Sequence, residues 1–291
     1  MAPLEDTVRY IHLDSSKRDS GSHDNPKFIL KRPITLNTLG DQGNHSRLRL
    51  RLTQATIPYS FYSIPHGHNN FKIGGLVLQL TPGNYNIFAL IKALEALVLE
   101  ADTGYTISIS YDRVLNKVAI STTALPFDEI SILFDNTTFY NQLGFEKGVT
   151  YHLDSENPLT SATAINTAPL NGVYVRAIGL MQTNSEESGR DSGFSDILGK
   201  VPINVNPGEV MDFEPPNPSE INVLADTIGS IELALTTRDP LSPIDLNGLD
   251  FACTIEIRYD LGFAMDFVEL QRRRMKFQLE ASESNAASKS N

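Results

Sequence analysis

The chain of 291 residues is 41% hydrophobic and 8% aromatic, an ordinary globular composition that suffices for one large or two modest domains. Its formal charge of −11 argues against a broad nucleic-acid-binding surface and leaves only a local basic patch for that role. A single cysteine, Cys253, excludes an intramolecular disulfide framework; with no long apolar run and no signal pattern at Met1, neither a membrane span nor Sec-type secretion is expected.

Residues 1–26 read as an N-terminal arm. Val8 and Tyr10 alternate as a strand would, so this first piece could add to a sheet, but Leu13 to Pro26 has too few apolar residues to fold alone. Phe28 to Leu36 is a strand interrupted by Pro33, which predicts an edge or a bulge there. From Arg47 to Thr56 the alternation is strict. Leu48, Leu50 and Leu52 face one way and Arg47, Arg49 and Arg51 the other. Three readings of the arginine row stand: a solvated outer face, an intersubunit ion-pair row, and phosphate contact. The last is the weakest, because a flat strand lacks an anion-cradling loop. His66 and His68 form a loop pair without a third ligand, so no metal or other cofactor is expected.

Gly75 to Leu80 is a strand. Then Ile87, Leu90, Ile91, Leu94, Leu97 and Val98 recur at helical spacing, which predicts a helix from about Ile87 to Glu100 with Asn86 as N-cap. Tyr105–Tyr111, Lys117–Ser121 and Ile130–Phe134 are short strands. One helix on about four strands makes a small α+β domain. It lies between segments of a continuous β pattern, so residues 66–150 read as an insertion into a discontinuous domain of 27–65 and 151–262. Val173–Ile178, Ile197–Val205, Val210–Glu214 and Ile221–Ala225 are further short strands, and Gln182 to Gly193 is a polar loop. Many short strands between turn signals indicate a sandwich or jelly roll.

Two alternating runs close this pattern. Ile231, Leu233 and Leu235 share one face; Phe251, Cys253, Ile255, Ile257 and Tyr259 share another. They read first as an antiparallel pair, and Cys253 as a buried, inert thiol. Residues 263–291 form a tail with helical periodicity between Phe263 and Glu280, its last eleven residues expected to be disordered. Arg272, Arg273 and Arg274 are the densest basic cluster, either a solvated helix face or a contact for nucleic acid or an acidic partner. No nucleophile elbow, phosphate loop, dinucleotide fingerprint or zinc-protease motif occurs, so the chain is not read as an enzyme. Asp14-Ser15-Ser16 near His12 and His23 has the parts of a triad, yet sits in a polar arm without a scaffold.

The order of several motifs resembles the penton (minor capsid) proteins of virophages and polinton-type viruses. Tyr10 to Asp19 with Asn25 to Leu30 looks like their opening, and Leu50 to Ile64 like the next strand. Pro82 to Ile87 with the following helix, and Leu143-Gly-Phe145, fit their insertion. Val173 to Arg176 and the stretch from Leu235 to Tyr259 fit the second half. The resemblance implies a mainly β protein: a single jelly roll with an inserted small α+β domain, forming homopentamers at icosahedral five-fold vertices of the virion beside trimers of a major capsid protein. It also puts the two closing strands in opposite sheets, with the Arg238 to Asp250 loop crossing between them. Arg272 to Arg274 would then face packaged DNA or an internal partner. The competing reading is a glycan- or receptor-binding β-sandwich attachment protein, which the absence of Trp disfavours.

Overall fold

The computed structural model describes residues 8–35, 47–102, 104–123, 130–134, 139–166, 170–180, 196–223, 227–238 and 242–260. The tail 263–291 with Arg272, Arg273 and Arg274, the polar loop 182–193 and the side chain of Arg47 lie outside them. The chain divides into two compact units, one of Met1–Pro58, Gly172–Asn204 and Val210–Asn291, the other of Tyr59–Asn171 with Val205–Glu209.

In chain order, β1 (Val8–Asp14), β2 (Ser20–Gly21), β3 (Pro26–Thr35) and β4 (Arg47–Pro58) come first. The second unit follows with β5 (Asn70–Ile73), β6 (Leu76–Gln79), α1 (Ile87–Glu100), β7 (Ile107–Asp112), β8 (Lys117–Thr122), β9 (Ile130–Leu133), α2 (Phe139–Leu143), β10 (Thr150–Leu153) and β11 (Leu159–Thr160). The first unit resumes with β12 (Val173–Ala177), β13 (Ile197–Val201), β14 (Val210–Phe213), β15 (Ile221–Val223), β16 (Thr227–Thr236) and β17 (Ala252–Asp260).

The first unit is built from two antiparallel sheets. One runs β1-β17-β4-β14, with β15 also on β4; the other runs β13-β12-β16-β3-β2. Setting aside the short β2 and taking β14 and β15 as one interrupted strand leaves eight strands. Their sheets read first-eighth-third-sixth and fifth-fourth-seventh-second, which is the jelly-roll order. The molecule is therefore mainly β and the sandwich is a jelly roll. β16 and β17 lie in opposite sheets, so the closing runs are not a hairpin. The chain between them crosses over, held by Thr237 N to Ser242 O at 3.0 Å and Ile244 N to Leu235 O at 2.9 Å, with Leu246 fully buried.

Side-chain alternation explains the core. Leu48, Leu50 and Leu52 of β4, Ile255 and Ile257 of β17, Val173 and Val175 of β12, and Ile231, Leu233 and Leu235 of β16 are all within 1% of full burial. Each such aliphatic side chain contributes about 1.5–3 kcal/mol by leaving water. The sheets meet closely where β13 faces β4: a Cβ on Gly199 would come 2.8 Å from Leu52 Cδ2. The alternation of β4 is not strict to its end. Thr254 pairs Gln54 and Ile255 pairs Leu52, so Thr53 is an extra residue in a bulge. It puts Ala55 and Ile57 back in the core after Leu52. A larger irregularity falls at Pro33, where Ile228 pairs Ile34 and Ser230 pairs Ile29.

The N-terminal segment is less of an arm than its composition suggests. β1 pairs with β17 over its whole length, from Val8↔Arg258 to Asp14↔Ala252. A single 3-10 turn, Ser15–Lys17, follows, capped by the Asp14 side chain accepting from Ser16 N at 3.0 Å.

The second unit has its own core of Phe71, Ile73, Leu90, Leu94, Val98, Ile109, Val118, Ile120, Ile132, Phe134, Phe139 and neighbours. Its sheets run β10-β9-β5-β6 and β11-β8-β7. It is wider than residues 66–150. Ile64 bridges Gly83 and is fully buried, β10 pairs β9 and β11 pairs β8, so flanking segments at both ends pack into this core. Among the described residues no helix is long and apolar enough to cross a membrane.

Candidate assembly surfaces

The arginine row sits on the outer face of the β1-β17-β4-β14 sheet, and its described members are held by carboxylates of the same chain. Arg49 and Arg51 both bond Glu220, the residue before β15. Arg51 Nη1 also lies 3.9 Å from Glu256 Oε1 on β17, and Arg258 Nε donates to the same oxygen. The register makes this inevitable, since Glu256 is opposite Arg51 and Arg258 opposite Arg49. Glu256 is only 5% exposed, so these guanidinium groups are what offset the burial of its carboxylate. Among the described residues Arg49, Arg51 and Arg258 thus gather around Glu220 and Glu256.

Of the triad parts read from the sequence, Ser15 and His23 meet around Asp250 and not as a catalytic relay, while Asp14 bonds Ser16 and His12 lies against Thr254. Ser15 Oγ donates to Asp250 Oδ1 at 2.7 Å and accepts from Phe251 N at 2.9 Å. His23 Nδ1 lies 2.7 Å from the same Asp250 oxygen. Arg18 Nη1 donates to Ser15 O at 2.8 Å and reaches Asp250 at 3.5 Å. A nucleophile needs its base next to it, with the acid behind the base. Here the carboxylate stands between serine and histidine, and both serine bonds are taken. The cluster ties the turn after β1 to the start of β17. The Ser15 hydroxyl first, then His23, hold the Asp250 carboxyl below its usual pKa.

Sequence reasoning missed the role of Arg176. Its place opposite Val175 and Ala177 on β12 predicts an outward side chain, yet it is 1% exposed. It donates through Nε to Thr236 Oγ1 at 2.8 Å, through Nη1 to Asp196 at 2.6 Å and through Nη2 to Arg238 O at 3.2 Å. The one clue was its company: an arginine in a strand otherwise apolar. Cys253 faces the core, where burial pushes its thiol up to about 12. His66 and His68 are both exposed, and among the described residues no group of three His, Cys, Asp or Glu could hold a metal ion.

Among the described residues the sandwich ends in unpaired strand edges, β1 and β14 in one sheet and β13 in the other, while β2 covers only the start of β3. Exposed edges are surfaces on which neighbours can add. No protein-family model matches the chain, and no curated protein sequence does. Among solved structures, the chain is similar to the mavirus penton protein, with 11% identity and a TM-score of 0.44 over 87% of this chain and all of the other. It is also similar to a chain in the cryo-EM structure of the Sputnik virophage, with 15% identity and a TM-score of 0.40 over 89% of this chain and 99% of that one.

Proposed function

We propose that the chain is a structural virion protein, a penton or minor capsid protein that forms homopentamers at icosahedral five-fold vertices and contacts major capsid protein trimers. The observation that carries this reading is the jelly-roll strand order, which is at home in capsid subunits, lectins and cupins. Within that set the ordered motifs from Tyr10 to Tyr259 favour the capsid. A fold alone does not fix a function, so the surfaces matter. Among the described residues the edges of β13 and β14 are unpaired, and a head-to-tail ring, whose contacts are heterologous and close on themselves, can cover them. In such a ring Arg47, Arg49 and Arg51 supply the subunit-interface row, with Arg49 and Arg51 already ordered by their carboxylate partners. Arg272, Arg273 and Arg274 serve as the contact to packaged DNA or an internal partner.

Light scattering on the purified protein tests the ring. A discrete species of five chains, each 32.1 kDa, is the expected result. A strict monomer at all concentrations, with and without the major capsid protein, overturns it. One observation favours the attachment reading: Phe88 of α1 is 48% exposed, set edge-on to Tyr111 and 5.3 Å from Arg113, an aromatic platform of the kind sugars stack on. Glycan-array binding abolished by Phe88→Ala is the result that supports it.

A further inference from the structure

One flank of the sandwich carries features that ring assembly does not account for. β1 and β3 border the same side, one from each sheet, and between them runs a groove of about 780 Å³. Its floor is apolar, with Ile11, Leu13 and Phe28, and its rim carries Arg9, Lys31 and Arg32. Arg9 Nη1 donates to Arg32 O at 3.2 Å, joining the two strands across the mouth.

Among the described residues no carboxylate pairs with Arg9, Lys31 or Arg32, in a chain whose acidic residues outnumber its basic ones 35 to 24. The acids at the other end of the groove are committed locally. Asp14 holds Ser16 Oγ at 2.6 Å and Lys17 at 3.8 Å, and Asp19 accepts from Ile29 N at 2.6 Å. Among the described residues the strands also leave edge backbone outside any sheet pairing, although Ile29 N and Arg32 O of β3 are taken by the Asp19 and Arg9 side chains. β1 pairs only with β17, and β2 reaches β3 only at Pro26 and Lys27. Exposed apolar side chains flank these edges: Tyr10 is 55% and Ile29 63% exposed.

Free main-chain donors and acceptors, an apolar floor and a cationic rim together define what fits. An extended strand satisfies the edge, alternate apolar side chains fill the floor, and carboxylates meet the rim. We propose that this groove binds an extended acidic segment of a partner protein, which adds as a strand to β1 or β3 with its carboxylates on Arg9, Lys31 and Arg32. The reading stands whether or not the chain forms a ring.

The test uses the full chain and fluorescein-labelled peptides of seven residues, the length of β1, alternating Val with Glu or Val with Lys. Anisotropy should show the Glu peptide binding at least about tenfold more tightly than the Lys peptide, and added salt should weaken it. The double variant Arg9→Glu/Arg32→Glu should lose at least about tenfold in affinity while keeping the wild-type circular dichroism spectrum and melting temperature. Hydrogen exchange should slow at alternate amides of β1 or β3 when the peptide is bound, and a backbone N-methylated peptide should not bind. Equal binding of the two peptides, no binding at all, or unchanged affinity in the double variant overturns the proposal. Self-association of the chain that the double variant abolishes and the Glu peptide cannot displace assigns the groove to a second copy, and overturns it as well.

Discussion

Arg176 shows how much a single buried residue can hold in a sheet. Its guanidinium is buried and ties β12 to β16 through Thr236, and to the chain on either side through Asp196 and the Arg238 carbonyl. Removing one member of a buried ion pair leaves the other desolvated and alone, at a cost of about 3–5 kcal/mol. Arg176→Leu should destabilise by that amount in urea unfolding, and Arg176→Lys by less, because the charge survives while the fork is lost. A loss under about 1 kcal/mol for Arg176→Leu would mean the pair adds nothing. Asp250 makes a second residue-scale statement, this time about pH. Its carboxyl sits below the usual value, chiefly through Ser15 and then His23, with Arg18 adding to the shift and desolvation opposing it. Between the folded pKa and the unfolded value of about 4 the unfolded chain binds more protons, so stability rises with pH there. The contribution is complete above that window and disappears as pH falls through the depressed folded pKa. Asp250→Asn should therefore melt lower than wild type above about pH 5 and converge with it in strong acid. Parallel melting curves across the acid range would contradict this. Neither role was legible beforehand. Alternation told which way Arg176 points but not what lies over it, and the residues around Asp250 come from positions more than two hundred apart.

Elements were far more legible than their partners. The helix from Ile87 to Glu100 falls where its apolar spacing put it, and Asn86 caps it by accepting from Ala89 N at 2.9 Å. Local chemistry suffices there, since the cap and the apolar stripe are both written within four residues of where they act. Asn86→Ala should cost about 0.5–2 kcal/mol, read as a lower urea midpoint for a probe in the second unit, such as exchange of the α1 amides. No change in α1 exchange would show that packing of Leu90, Leu94 and Val98 holds the helix start without its cap. Strands behave differently. The strict alternation of Arg47 to Thr56 is real up to Leu52 and then shifts by one at Thr53. A bulge is a relation between two strands, so β4 alone cannot reveal it. Pro33 could be read in advance, because a missing N–H is a property of the residue itself. The same contrast separates the Arg49 and Arg51 row, visible as a pattern, from Glu220 and Glu256, which register alone brings to it.

At the scale of the whole molecule the strand order is what the sequence hides most completely. Antiparallel alternation says that β1 and β17 are strands; it does not say that Val8 lies beside Arg258. That pairing joins almost the two ends of the described chain, and β17 is an interior strand, flanked by β1 on one side and β4 on the other. The first unit therefore cannot complete its sheet until the last strand exists. The second unit has no such dependence, because every residue of its core cluster lies between Ile64 and Leu153. A chain ending at Asp250 should split these behaviours. Without β17, strands β1 and β4 lose their shared partner, and Leu48, Leu50 and Leu52 lose the cover of Ile255 and Ile257, so the sandwich should not form. The second unit should still fold, with slow exchange across α1, β5 and β8 and its own cooperative melt. Hydrogen exchange by mass spectrometry on the truncated chain reads both units at once. Protection of β4 equal to that in the full chain would show that the sandwich closes without its last strand, against the topology. Loss of protection in β5 and β8 as well would show that the second unit borrows its stability from the first, against the separateness of its core.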